Sequence, residues 1–80
     1  MESILRCLKA LGDENRIRIL MLLRQRELCV CQLMGVLGIS QPLVSRHLSV
    51  LKAAGLVRAR REGKLMYYSF TETARTGGKA

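Results

Sequence analysis

The chain has no tryptophan and a single histidine in 80 residues. With one imidazole, no nucleophile–base–orienter set can be assembled, so an enzyme is not expected. No apolar run approaches the ~18 residues of a membrane-spanning helix. The opening Met1-Glu2-Ser3-Ile4-Leu5-Arg6 lacks the basic segment and small-residue cleavage site of a secretory signal. A cytoplasmic protein without a membrane partner is the expectation. Cysteine is sparse and odd in number, at three, and two of them stand too close together for a structural disulfide framework. In a reducing compartment they are thiols rather than bridges. No internal repeat and no interdomain linker are visible.

Acidic residues are also scarce: six against 14 Lys and Arg, a net charge of +8 and a sequence pI near 10.3. The excess is uneven. Residues 1–40 hold six basic and four acidic side chains, whereas residues 41–80 hold eight and two. A basic second half calls for a polyanion, with nucleic acid ahead of membrane. Nearly half the residues are apolar, so the chain is globular rather than disordered. At this length it forms one small domain whose core is near the lower limit for independent stability. Such a domain often leans on a partner subunit, a metal or disulfides.

Helical periodicity organises the first two-thirds. Ile4, Leu8 and Leu11 recur at i, i+4 and i+7 and mark a first helix ending at Gly12. Asp13 supplies the next N-cap, with Glu14 favourably placed in the new first turn. Ile17, Leu20, Met21 and Leu23 carry the second helix, and the polar Arg24-Gln25-Arg26-Glu27 reads as its end and a connection. A third helix is expected from about Cys29 to Leu37, with Val30, Leu33, Met34 and Leu37 as its core face. Gly38-Ile39-Ser40 makes a tight turn, with Ser40 as N-cap and Pro42 in the first turn of a fourth helix over about Gln41–Ala54. That helix buries Val44, Leu48 and Leu51 and closes at Gly55.

Helix, short Gly-containing turn, helix is the helix-turn-helix pattern, whose second helix reads DNA. Gln41, Ser45, Ser49 and Lys52 fall on its outer face with Arg46 beside them, and Ser40 and His47 complete the polar set. Short polar and cationic side chains of this kind reach base edges and phosphates. The plain alternative is an ordinary solvated face. After Gly55 the period drops to two. Leu56–Arg61 and Lys64–Phe70 read as two strands joined at Glu62-Gly63, with Arg58, Arg60, Arg61 and Lys64 near the tip. A basic hairpin directly after a recognition helix is a wing, suited to phosphates or the minor groove; otherwise its cations protect a sheet edge. The expected fold is mostly α with a small antiparallel β-hairpin, a winged helix-turn-helix in the order ααααββ. It occupies residues 1–72, and residues 73–80 form a small, polar, mobile tail.

Glu27-Leu28-Cys29-Val30-Cys31-Gln32-Leu33 places two thiols at the start of the supporting helix. On an ideal α-helix they point ~200° apart, so one ion engages both sulfurs only if the first turn unwinds. Thiolates are soft ligands, favouring thiophilic ions over Mg²⁺ or Ca²⁺.

Four segments in register resemble the ArsR/SmtB family of winged-helix metal-sensing repressors. They are Leu8–Leu20, the thiol segment Glu27–Leu33, Ser40–Leu48 and Gly63–Tyr68. The resemblance covers roughly residues 4 to 72. It implies a homodimer on double-stranded operator DNA that represses its own resistance operon. Release would follow when As(III) or Sb(III) binds Cys29 and Cys31.

Two departures from the family stand out. Where many arsenic sensors carry a third cysteine three residues after the second, this chain has Met34, which falls on the core stripe. Attention therefore turns to Cys7 as a further ligand, against simple burial in the first helix; two protein thiols plus an exogenous thiol are the other arrangement. Family members also continue into a C-terminal dimerisation helix, whereas this sequence stops at Gly77-Gly78-Lys79-Ala80. His47 has no partner histidine and is not expected to bind metal. Two rival readings stay open: a thiol redox switch on the same repressor, and a protein-interaction winged helix with no operator.

Overall fold

The computed structural model describes residues 2–71, so the expected tail over 73–80 lies outside the described residues. Helix α1 spans Glu2–Ala10, α2 Glu14–Gln25, α3 Val30–Leu37 and α4 Gln41–Ala53; strands are β1 Leu28–Cys29, β2 Val57–Glu62 and β3 Leu65–Phe70. The three strands form one antiparallel sheet in the order β1-β3-β2. The order is thus ααβααββ. The expected hairpin is there, and a two-residue strand is added to it.

Local chemistry sets the helix boundaries. Asp13 is extended and its Oδ1 accepts from the main-chain N–H of Asn15 at 2.8 Å and of Arg16 at 3.3 Å, satisfying two of the orphan donors at the start of α2. Gly38 takes the left-handed conformation (φ 69°) and its N–H reaches Met34 O at 2.8 Å, ending α3. Gly55, at φ 77°, ends α4: its N–H donates to Lys52 O while Leu56 N–H donates to Leu51 O. That pair of bonds is the Schellman arrangement. Ser40 does stand at the N-cap of α4, but its side chain makes no capping bond.

Cys29 is not in the third helix. It is the extended N-cap (φ −94°, ψ 170°), and its N–H donates to Gln32 Oε1 at 3.0 Å. The physical reason is the strand before it. Leu28 pairs with Tyr68 and Cys29 with Tyr67 across the edge of β3, so the main chain must stay extended until Val30. The hairpin turn also moves by one residue: Glu62 pairs with Leu65, leaving Gly63-Lys64 as the two-residue loop, with Gly63 at φ 62°. A glycine at the first central position suits a turn whose twist matches the strands.

Ile19, Leu33, Leu48, Leu51 and Val44 are the largest fully buried side chains, joined by Leu20, Leu23, Leu28 and Val57. Each fully buried aliphatic side chain contributes about 1.5–3 kcal/mol before chain entropy is subtracted. The inner face of α2 is Ile19, Leu20 and Leu23; Ile17 and Met21 face out. Among the described side chains of α1 Ala10 is buried, whereas Ile4, Leu5 and Leu8, with Leu11 just past its end, are exposed.

Candidate nucleic-acid interface and thiol site

Helix α4 divides its residues cleanly. Val44, His47, Leu48 and Leu51 point into the protein, while Ser40, Gln41, Ser45, Arg46, Ser49 and Lys52 are exposed. The exposed row recurs at helical spacing on the face away from the core. His47 is the exception among the expected interface residues: it is 7% exposed and turned inward. The reason is helical geometry, since residue 47 follows Val44 by three and so falls on the same buried stripe.

The buried ring is held by a polar cluster. His47 Nδ1 lies 3.3 Å from Arg16 Nη1, and Nε2 lies 3.9 Å from Asp13 Oδ1. Arg16 also donates from Nε to Ala10 O at 2.7 Å and from Nη2 to Lys9 O at 3.3 Å. Desolvation pushes the Asp13 carboxyl up, but the main-chain N–H donors of Asn15 and Arg16, with the Arg16 guanidinium nearby, hold it below its ordinary value.

In the wing, Arg58, Arg60, Arg61 and Lys64 are all exposed. Strand alternation puts Arg58, Arg60 and Glu62 on one face with Ser69, Tyr67 and Leu65, and Arg61 on the other with Met66. Arg60 differs from its neighbours. Its guanidinium donates to both oxygens of Glu27, at 2.8 and 3.1 Å, and to Glu62 at 2.7 Å, and it lies 5.1 Å above the Tyr67 ring. The hydrogen bonds from Arg60 hold the Glu27 carboxyl below its ordinary value despite some desolvation. The same contacts with Glu27 and Glu62 make the guanidinium still harder to deprotonate. Arg60 is therefore a tether between the wing and the segment before β1 rather than a free cation.

The thiols are unequal. Cys29 is 8% exposed and Cys31 is exposed. Both line a cavity of about 250 Å³ whose other walls include Gln41, Lys64 and Met66. A larger hollow of about 420 Å³ between α2 and α3 has Leu22, Leu28 and Val36 in its walls, and neither thiols nor expected DNA-facing residues line it. Cys7 is elsewhere. Its Sγ sits 3.7 Å from Ala54 O, just past the end of α4, whereas the thiol pair meets Gln41 at the beginning of that helix. Thirteen residues of helix separate the two points by about 20 Å. Within one chain, Cys7 is too far away to share an ion with Cys29 and Cys31. Met34 is partly buried against the core. Among the described residues no group of three or more His, Cys, Asp or Glu side chains is placed to hold a metal ion; the sulfur-bearing residues in the cavity wall are Cys29, Cys31 and Met66.

Sequence reasoning missed Glu27, Arg16 and Asp13 as partners of the interface. Asp13 was legible only as a cap. Nothing in the local pattern pairs Glu27 with Arg60 or Arg16 with His47.

A helix-turn-helix, a three-stranded wing and a paired-thiol segment now stand in one order along the chain. The family model described as "Bacterial regulatory protein, arsR family" matches residues 13–59. The chain belongs to the arsR family. It is 48% identical over 61 residues to the arsenic resistance transcriptional regulator ArsR1 of Pseudomonas putida, covering 75% of this chain and 48% of that protein. It is 43% identical over 65 residues to the repressor SmtB of Mycobacterium tuberculosis, covering 81% and 48%. This arsR-family chain thus spans about half the length of these relatives.

Among solved structures it superposes on a homodimeric winged helix-turn-helix DNA-binding domain of Mycobacterium bovis, described as a possible ArsR-family regulator. The TM-score is 0.85 at 37% identity, covering 91% of this chain and 68% of that one. These arsR-family relatives and neighbours are regulators, not enzymes. No helix among the described residues is long and apolar enough to cross a membrane.

Proposed function

We propose that this arsR-family chain is a transcriptional repressor that binds operator DNA as a homodimer and lets go when a thiophilic ion engages Cys29 and Cys31. Arsenite or antimonite is the inducer this reading favours. The observation that carries it is the shared cavity: Cys29 and Cys31 line it together with Gln41, the first residue of α4, and Lys64 in the wing turn. Chemistry at the sulfurs thereby sits between the two elements that would touch DNA.

Gln41, Ser45, Arg46, Ser49 and Lys52 are the base- and phosphate-facing set on α4, with Ser40 at its cap. Arg58, Arg61 and Lys64 serve the adjacent phosphates. Cys29 and Cys31 supply two soft donors, and a third comes from outside this cavity, such as a small thiol. Cys29 is at once the end of β1 and the N-cap of α3. Drawing its buried sulfur toward an ion bound at exposed Cys31 disturbs the start of α3 and the edge of the wing sheet together. If the ion prefers the disturbed form, linkage requires that DNA and ion oppose each other. The exposed Ile4, Leu5 and Leu8 of α1, with Leu11 just past its end, form the surface a second copy would cover. Residues 1–72 act as one DNA-binding unit, in the cytoplasm.

The test is fluorescence anisotropy of the reduced protein on DNA from upstream of its own gene, at fixed salt, with and without arsenite. Release that disappears in Cys29→Ser and Cys31→Ser supports the reading. Release by peroxide instead of metalloid moves the switch to thiol oxidation, and cadmium or zinc in place of arsenite changes the inducer. Weak binding, equal for all sequences, rejects the operator.

A further inference from the structure

His47 is the chain's one histidine, and it is buried in the middle of the helix that faces DNA. A polar ring costs free energy there unless its nitrogens are satisfied. Arg16 Nη1, at 3.3 Å from Nδ1, is a donor with no acceptor capacity. Nδ1 must therefore accept, which leaves the proton on Nε2 and the ring neutral. Nε2 is 3.9 Å from Asp13 Oδ1, beyond a direct hydrogen bond but on the side of a negative charge.

The other contacts of these two residues give the cluster its reach. Arg16 clasps the last carbonyls of α1 at Lys9 and Ala10. Asp13 caps the first turn of α2. A single imidazole thus joins the end of α1, the start of α2 and the centre of α4. The charged groups recorded at the ring nitrogens are Arg16 and Asp13; α1 joins the cluster through the Lys9 and Ala10 carbonyls that Arg16 holds.

We infer that neutral His47 is a positioning residue that seats the DNA-facing helix against the α1–α2 corner, and that a proton taken up from solvent at Nδ1 unseats it and weakens DNA binding. Protonation turns the acceptor into a donor and sets a cation 3.3 Å from a guanidinium. The Arg16 hydrogen bond is lost, and the ring is left to swing toward Asp13. The DNA readout of this inference rests on the repressor reading above; the structural readout does not.

The test has two arms. Long-range ¹H–¹⁵N correlation on the DNA-free protein reads the tautomer of the one histidine and follows its titration. The expected result is the Nε2–H form at neutral pH, with α4 amide shifts moving along the same titration curve. Anisotropy on operator DNA at fixed salt is then read along the same titration, and affinity is expected to fall about tenfold as the ring takes up its proton, the loss of one hydrogen bond to a charged group. His47→Gln keeps an acceptor for Arg16 and a donor toward Asp13 but does not titrate. It is expected to bind as the wild type does with its ring neutral and to show a flat profile.

His47→Leu fills the space without an acceptor and is expected to bind more weakly across the whole range. An Nδ1–H tautomer, α4 amides indifferent to the titration, or a pH profile unchanged in His47→Gln overturns the inference. If no operator binding is found at any pH, the repressor reading fails while the amide titration still decides the seat.

Discussion

Cys29 stands directly opposite Tyr67 in the β1–β3 ladder, so the buried thiol of the pair belongs to the wing's own sheet. Tyr67 in turn faces Arg60 across the β3–β2 ladder, and Arg60 reaches back to Glu27, two residues before Cys29. A closed loop of contacts therefore runs from the thiol segment through the wing and home again. Disturbing Cys29 acts on the wing as well as on α3.

Unequal burial of the two thiols predicts unequal chemistry. In the folded protein a thiol reagent is expected to modify exposed Cys31 faster than Cys29, by about an order of magnitude, because reaction at a buried sulfur waits for local opening. Variants that keep one cysteine at a time, timed against an absorbance-reporting disulfide, measure this. Equal rates in folded protein, as in urea, would remove the asymmetry.

The wing cations are expected to differ in their salt dependence. Each phosphate contact adds about 0.9 to the slope of log affinity against log salt concentration. Arg58→Ala and Arg61→Ala should each lower the slope by about that much. Arg60→Ala should lower it less, because Glu27 and Glu62 already hold its guanidinium. A full loss at Arg60 would mean that DNA breaks the tether.

The Glu27 carboxyl, held by Arg60 below its ordinary value of 4.5, makes stability depend on acid. A group whose value is depressed by folding stabilises fully above its unfolded value, and that contribution vanishes as pH falls through the folded one. Thermal melts of wild type and Glu27→Gln should therefore differ at neutral pH and converge at pH values below the ordinary carboxylate range. A difference that widened in acid would contradict the ion pair.

Core and surface apolar residues on α3 should separate sharply. Leu33 is fully buried and Val36 is 62% exposed. Leu33→Ala is expected to cost about 2–5 kcal/mol in denaturant unfolding, a large share of the stability of so small a domain. Val36→Ala should stay within about 0.5 kcal/mol.

The helices and turns were legible because their signals are local. Asp13, Gly38, Pro42 and Gly55 punctuate apolar stripes of helical period, and Gly63 marks the hairpin. Strand β1 was hidden because two residues cannot show a period, and its pairing partner is β3, far along the chain. That strand moved Cys29 out of the helix, so the pair is an N-cap thiol and a first-turn thiol rather than two helical ones. The inward turn of His47 did have a signal, since it shares the stripe of Val44, Leu48 and Leu51. Polarity masked it.

What the sequence determined by itself is the set of helices, the turn between α3 and α4, the basic hairpin and the adjacency of two thiols, all consequences of neighbours within a few residues. Tertiary structure alone decided which polar side chains stand exposed and which are already engaged. Arg16 and His47 are 31 positions apart, and Glu27 and Arg60 are 33. No periodicity spans such distances. Only packing α4 on the α1–α2 corner, and β1 on β3, brings those charges within reach of one another.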